Sequence, residues 1–379
     1  MKSFSFRRRL AAVAALLTGA ALFSNSLVAA PTAYLAGDST VMTYNASSNL
    51  YPQQGWGGRI ADYFTTGVTF SNKAIGKRSS KSFVDEGRLD AILNVIQPGD
   101  FLFIQFAHND SNSDPKYYTS PYTTYKEYLA MYIDGAVAHG ATPVLVTPVG
   151  RRNYNSSGSF INDFTDRCTA MKQLATEKNC KLIDLNAKSI AFYNKLGGEA
   201  AKDVFLWLSA GQYPNFPNGV SDNTHFQEYG AGQIARLVTE GIEELNLSIE
   251  TSIKSITYPA EAGAISGGAI REKTNSGWRG QGYINFPTTG GTVSLSGVNG
   301  RTGGTKTLRI RFALGGSAAR SGQLVVNGTT TTISFSASGS FTTWTTKDVT
   351  VTLNAGTNNT IQLKSNGSDL ANVDDITVL

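Results

Sequence analysis

Four short blocks within the first 225 residues supply a serine, an imidazole, a carboxylate, an amide and a flexible backbone stretch. They are Gly37-Asp38-Ser39-Thr40, Gly76-Lys77-Arg78-Ser79, His108-Asn109-Asp110 and Asp222-Asn223-Thr224-His225. Those are the parts a serine esterase needs to attack an acyl carbonyl and hold the oxyanion that results. The chain has three histidines, so few residues can act as base. Asp222 lies three residues before His225, close enough to meet the imidazole from the same turn, fix its tautomer and leave the other ring nitrogen to take the proton of Ser39. Asp222 or Asn223 also fits the start of a helix from Phe226 to Leu245. Asn109 offers a side-chain amide to an oxyanion, and the Gly76-Lys77 stretch and Ser39 offer backbone N–H groups. His139 reads as a helix-end residue before Gly140, and His108 as packing beside the site.

The elements that must position these residues come from the hydrophobic pattern. Short apolar runs at Ala33 to Ala36, Phe101 to Phe106, Pro143 to Val146 and Lys181 to Leu185 alternate with amphipathic stretches such as Tyr125 to His139 and Phe160 to Lys178. Near-continuous apolar strands separated by helices predict an α/β domain with a parallel sheet covered on both faces. Ligands of such sheets bind beyond the carboxyl ends of the strands. Ser39 follows the first strand and His108-Asn109 follow another, so both fall on that edge.

Near Ser248 the composition changes. Residues 253–379 contain no His, Cys or Met and are rich in Thr, Ser, Gly and Asn. Leu308, Ile310 and Phe312 alternate with polar neighbours, and Leu324 and Val326 run into Asn327-Gly328, a hairpin signal, before Ile333 and Phe335. Val349 to Leu353 and Ile361 to Leu363 read as a further strand pair. The second unit is therefore expected to be an all-β sandwich, which gives a signal peptide over 1–30, an esterase unit over 31–247, a linker over 248–257 and the sandwich over 258–379.

The leader combines Lys2 and Arg7 to Arg9 with an apolar run from Leu10 to Phe23 and small residues at Val28-Ala29-Ala30, the layout of a secretory signal. A secreted or periplasmic location is expected, with no membrane span after cleavage. Without the leader's four cations the formal charge falls from +5 to +1, so net charge gives no support to a nucleic-acid partner. Cys168 and Cys180 read as buried thiols rather than a disulfide. On one helix they would lie about 18 Å apart, beyond the ~7 Å reach of a bridge.

Together the blocks resemble the GDSL, or SGNH, hydrolases, and within them the rhamnogalacturonan acetylesterases of carbohydrate esterase family 12. Gly55-Trp56-Gly57, Arg78 to Phe83 and Phe226 join the four blocks in carrying the likeness, which covers about residues 31–247. The resemblance implies a flavodoxin-like three-layer αβα fold and removal of acetyl esters from pectic rhamnogalacturonan. It makes Ser39 the nucleophile, His225 the base and later the acid, Asp222 its orienter and Asn109 an oxyanion donor. The family places glycine immediately before the Arg-Ser pair, where this chain has Lys77, so Gly76 and Lys77 both stand as the backbone donor. An acetylxylan esterase and an inactive carbohydrate-binding protein are the alternative functions.

The C-terminal unit resembles carbohydrate-binding module family 35 at Tyr258 to Glu261, Ser276 to Phe286, Val326-Asn327-Gly328 and Asn372-Val373-Asp374. That likeness implies a jelly roll with structural calcium, Glu261 and Asp374 as its ligands, and sugar contacts from Trp278, Arg320, Trp344 and Asn372. The first of the two glutamates usual in that family's opening motif is replaced here by Pro259. Catalysis itself calls for no cofactor. The expected partner is an acetylated pectic or hemicellulosic polysaccharide, bound by a monomer.

Overall fold

The protein, seen in a computed structural model, is described over residues 30–379, so the leader apart from Ala30 lies outside the described residues. Among those described, no helix is long and apolar enough to cross a membrane. The first unit contains strands β1 (Thr32–Gly37), β2 (Gln53–Gln54), β3 (Thr69–Asn72), β4 (Phe101–Gln105), β5 (Thr142–Val146), β6 (Lys181–Ile183), β7 (Phe205–Leu208) and β8 (Val220–Gln227). A five-stranded parallel sheet runs β3-β1-β4-β5-β6, and a small antiparallel sheet runs β2-β8-β7. Its helices are α1 (Ser80–Asp85), α2 (Arg88–Leu93), α3 (Thr124–Ala138), α4 (Thr165–Glu177), α5 (Leu185–Ala200) and α6 (Glu228–Glu244).

The strands are apolar on both faces because both are covered. Leu35, Phe103 and Val144 point into a core shared with Phe192 of α5 and Ile234 of α6. Tyr34, Leu102, Ile104 and Leu145 point the other way, onto Phe83, Leu89, Leu129 and Met171 from α1 to α4. This is the three-layer α/β arrangement, with the loops that follow β1, β3, β4 and β5 emerging on one edge.

Two local expectations fail here. The helix expected from Phe226 starts at Glu228, with Gln227 as its N-cap, and Asp222 to His225 lie in β8. Phe226 and Ser221 pair with Phe205 and Trp207 of β7, and Asp222 to His225 form the irregularity between those two pairs, so the helix cannot begin before them. Of the two thiols only Cys168 is buried; Cys180 is half-buried after the end of α4, and both are unpaired.

The second unit is a sandwich of antiparallel sheets. Its strands are β9 (Ile256–Pro259), β10 (Ala264–Ser266), β11 (Ile270–Glu272), β12 (Tyr283–Asn285), β13 (Thr292–Val298), β14 (Gly304–Ala313), β15 (Arg320–Val326), β16 (Thr329–Phe335), β17 (Trp344–Leu353), β18 (Asn359–Ser365) and β19 (Asn372–Val378). One sheet runs β10-β13-β18-β15-β16 and the other β11-β12-β19-β14-β17, with β9 also on β19. Asn327 and Gly328 both take positive φ, +50° and +85°, the conformation of a two-residue type I′ hairpin turn joining β15 to β16. The strand pair expected from Val349–Leu353 and Ile361–Leu363 does not form. β17 pairs with β14 in one sheet, and β18 lies between β13 and β15 in the other.

Residues 248–257 are not a free linker. Ile249, Ser252, Ile253 and Ile256 are buried, and Ile253 bridges to Phe64. Where the units meet, the buried Arg236 of α6 bonds Glu240 at 2.6 Å, and Tyr258 of β9 donates its hydroxyl to the same Glu240 at 3.2 Å. Arg301 also reaches Glu243 at 2.8 Å. One continuous apolar core, including Ile234, Ile256 and Leu308, runs through both units.

Candidate active site

Ser39 stands in the turn that follows β1. Asp38 O accepts the N–H groups of Val41 and Met42, at 3.1 and 3.0 Å, so the chain doubles back sharply and lifts the serine to the sheet edge. Gly37 is needed beneath it, because a Cβ there would come within 2.5 Å of the Val41 side chain.

β8 brings His225 to this point across 186 residues. His225 Nε2 lies 3.0 Å from Ser39 Oγ, and His225 Nδ1 lies 2.7 Å from Asp222 Oδ2. In a plain strand, residues three apart face opposite sides. Here Asp222 Oδ1 accepts the N–H groups of Thr224 and His225, at 2.7 and 3.0 Å, and this local turn swings carboxylate and imidazole together. Burial pushes the Asp222 carboxyl up, but the hydrogen bond and charge of His225 and those two backbone N–H groups outweigh it and hold the group down to about 2. Asp222 therefore stays ionised, keeps the Nδ1 proton in place, and leaves Nε2 to accept the serine proton.

On the oxyanion side, the loop after β3 carries Gly76 past Ser39; a Cβ on Gly76 would sit 3.7 Å from Ser39 Cβ. The Gly76 N–H is taken up by Met42 Sδ at 3.2 Å. Lys77 holds φ at +66°, a left-handed conformation unfavourable for a side chain with Cβ, and its N–H makes no hydrogen bond among the described residues. The positive φ that glycine would take freely therefore falls on lysine itself. A reciprocal capping box between Ser79 and Ser82 pins the end of this loop to α1. Asn109 donates one amide hydrogen to Arg78 O at 3.0 Å, which leaves the second free.

Beneath the serine runs a buried relay that the sequence motifs did not reveal. Trp56 Nε1–H donates to Gln105 Oε1 (2.9 Å), Gln105 Nε2–H to Thr40 Oγ1 (2.7 Å), and Thr40 O–H to Asp38 Oδ1 (2.7 Å). The other Asp38 oxygen lies 3.4 Å from His108 Nδ1. Burial raises the Asp38 carboxyl, but the neighbouring His108 and the N–H and O–H of Thr40 leave it below the ordinary value. His108 does pack beside the site, on Phe164 at 4.5 Å between ring centres, and it also faces a carboxylate. The signal was its adjacency to Asn109, paired with that of Asp38 to Ser39.

In the sandwich, the loops after β14, β16 and β18 open at one end, where Arg320, Trp344 and Asn372 begin the next strands. Trp344 pairs with Ala313, which pairs with Asn372. Trp344 donates to Ser276 O at 2.9 Å, and Gly277 packs on its ring, which brings the Trp278 loop to the same end. Arg320 is paired with Asp369. Glu261 and Asp374 sit elsewhere, on either side of residues 279–281: Gln281 N–H donates to Glu261 at 3.0 Å, and Arg279 N–H donates to Asp374 at 3.0 Å. Asp374 is also paired with Arg311. Burial pushes Glu261 up to about 8 and Asp374 up to about 6. Glu261 Oε2 and Asp375 Oδ2 are buried without a hydrogen-bond partner among the described residues, though Arg279 lies 3.8 Å from Asp375 Oδ2. Among the described residues no three His, Cys, Asp or Glu side chains converge to hold a metal ion.

Residues 259–378 match the family model "Carbohydrate binding module (family 6)". Over 221 residues the chain is 50% identical to the "Probable rhamnogalacturonan acetylesterase YesY" of Bacillus subtilis (strain 168), spanning 58% of this chain and 96% of that protein. The "Rhamnogalacturonan acetylesterase RhgT" of the same organism is 43% identical over 222 residues, 59% of this chain and 94% of its own length. The crystal structure of YxiM from Bacillus subtilis superposes with a TM-score of 0.50 at 30% identity, over 57% of each chain.

Proposed function

The chain belongs to the rhamnogalacturonan acetylesterase family and is a carbohydrate acetylesterase with a carbohydrate-binding module; from that premise we propose that it removes acetyl groups from pectic rhamnogalacturonan. One observation carries the assignment of roles: the unbroken contact from Asp222 through His225 to Ser39, at 2.7 and 3.0 Å. In this reading Ser39 Oγ attacks the acetyl carbonyl carbon while its proton passes to His225 Nε2. The imidazolium, held by Asp222, then gives that proton to the departing sugar oxygen, leaving acetyl-Ser39. Water attacks the acyl-enzyme with His225 again as base, and acetate leaves with Ser39 restored. Ser39 N–H, Lys77 N–H and the free hydrogen of Asn109 Nδ2 are the oxyanion donors; Gly76, whose N–H is engaged by Met42, serves as the hinge before Lys77.

The leader supports export, and the end of the sandwich bearing Trp278, Arg320, Trp344 and Asn372 supports sugar binding there, with uronic acids as the preferred ligand. Calcium belongs to the same reading. Hard carboxylate oxygens suit that ion, and the orphaned buried oxygen of Glu261 beside Asp374 fits a cation. Glu261 and Asp374 would hold it, and bound there it would tie the opening segment of the module to its last strand.

The test is acetate release from acetylated rhamnogalacturonan, acetylated xylan and a short aryl acetate, side by side. Preference for the pectic polymer is expected. Preference for xylan would replace the substrate, and no turnover on any of the three would return the chain to a binding role.

A further inference from the structure

Four cations stand around Ser39, and the structure separates them into two kinds. Arg78 is engaged, with Nε on Glu86 at 3.0 Å and Nη1 on Gly76 O at 3.0 Å. Arg152 is buried and holds the His225 loop: its N–H donates to Asn223 O at 2.8 Å, and its guanidinium bonds Asn223 Oδ1 and Gly198 O and stacks on Trp207. Arg151 and Lys77 differ from both. Neither has a carboxylate within 4 Å among the described residues. The Arg151 guanidinium lies over the Phe164 ring at 5.0 Å, and its Nε is buried with no hydrogen-bond partner. Phe164 in turn stacks on His108, which faces Asp38 beside the nucleophile. The Lys77 side chain is exposed.

A half-buried guanidinium with an unpartnered N–H is costly unless a ligand oxygen completes it. A lysine strained at +66°, where glycine would sit freely, likewise points to a use for its side chain. Both positions lie on the edge that carries Ser39. In the sheet order β3-β1-β4-β5, Lys77 follows β3 on one side of the Ser39 strand, and Arg151 follows β5 two strands away on the other. The Lys77 loop reaches back over the Ser39 strand, because Asn109 Nδ2–H, beyond β4, donates to Arg78 O at 3.0 Å.

We propose that Arg151 and Lys77 form carboxylate subsites beside the point of acyl attack, for the uronates of one acidic polysaccharide chain. Arg151 presents a planar fork suited to two-point carboxylate binding, oriented by Phe164, while Lys77 acts as a point charge. This rests on the reading that the acyl donor is an acidic polymer. It adds that the esterase unit itself, apart from the module, reads the charge next to the acetylated sugar.

The experiment uses the full chain and compares kcat/KM on acetylated rhamnogalacturonan with that on the same polymer after its carboxyls are converted to methyl esters, at low and high salt. The ratio of the two serves as readout, so a general loss of activity cancels. The natural enzyme should favour the charged polymer, more so at low salt. R151Q should lower the ratio about tenfold, K77Q by less, and R151K, which keeps charge and stacking but not the fork, should fall between. Thermal melts check that each variant folds. A ratio in R151Q and K77Q equal to that of the natural enzyme would overturn the subsites, as would a ratio of one in the natural enzyme. If acetylated rhamnogalacturonan still outranks acetylated xylan in either case, the substrate reading survives that failure; if xylan is preferred, the substrate reading itself is what fell.

Discussion

Replacing Asp222 tests the triad through a difference between two variants. The carboxyl is held near 2 against an ordinary 3.8, which corresponds to about 2.5 kcal/mol of preference for the charged form. Its side chain is 27% exposed, and solvent screening trims that to about 1.5–2.5 kcal/mol. Part of that preference comes from the backbone N–H groups of Thr224 and His225 rather than from the imidazole, so Asp222→Ala should lower kcat on an aryl acetate by at least about tenfold. Asp222→Asn should be worse. An amide in this place can donate to Nδ1, which puts the imidazole proton on Nε2, facing Ser39. In serine triads the wrong tautomer costs on the order of 10^4 in kcat. Near-ultraviolet circular dichroism checks folding, since Asp222 also accepts the N–H groups of Thr224 and His225 and Asn keeps one acceptor for them. The assay is initial-rate hydrolysis at saturating ester, with burst amplitude counting competent sites. The reasoning is refuted if the Asn variant equals or exceeds the Ala variant, or if either stays within about threefold of the natural enzyme.

Lys77→Gly should stabilise the protein by about 0.5–1 kcal/mol, the left-handed cost of about 1–2 kcal/mol less the extra unfolded freedom of glycine. Calorimetry should show a rise of about 1–4 °C, and Lys77→Gln, which keeps the strain, should show none. Asp38→Asn should destabilise by about 1–3 kcal/mol, because the buried Asp38 carboxylate accepts the N–H and O–H of Thr40 and faces His108. The Asp38 carboxyl is lowered on folding, so its contribution is present above the unfolded value near 4 and fades as pH falls through the lower folded value. Denaturant titrations of the Asn variant should therefore lose part of the acid limb seen in the natural protein. Millimolar calcium should raise the melting temperature of the full chain and chelation should lower it; Glu261→Gln should abolish the response.

The parts of this molecule legible in the sequence are those governed by local chemistry. Apolar runs separated by amphipathic helices specify the parallel sheet, and Asn327-Gly328 specifies its hairpin because both residues accept positive φ. What escaped depends on partners distant in the chain. Val349–Leu353 and Ile361–Leu363 look like a hairpin, yet each finds its neighbours elsewhere, since alternation fixes a face and not a pairing. Asp222 to His225 read equally well as a helix start; the pairing of Ser221 and Phe226 on either side with β7 holds them in the strand instead. The contacts of Gln105 with Trp56 and Thr40 span 49 and 65 residues and leave no local trace. The choice between Gly76 and Lys77 needed a backbone angle, which no residue type dictates.

The buried seam between the two units sets the geometry of attack on a solid substrate. With Arg236, Glu240 and Tyr258 joined across it and the connecting segment packed inside, the module is not a float on a leash. A leashed catalyst sweeps a volume set by its tether and strips whatever falls within that radius. A catalyst fixed to its anchor instead works at a constant offset from each landing point. Acetyl loss should then map the places where the module can settle, leaving a polymer deacetylated in patches rather than evenly along its length.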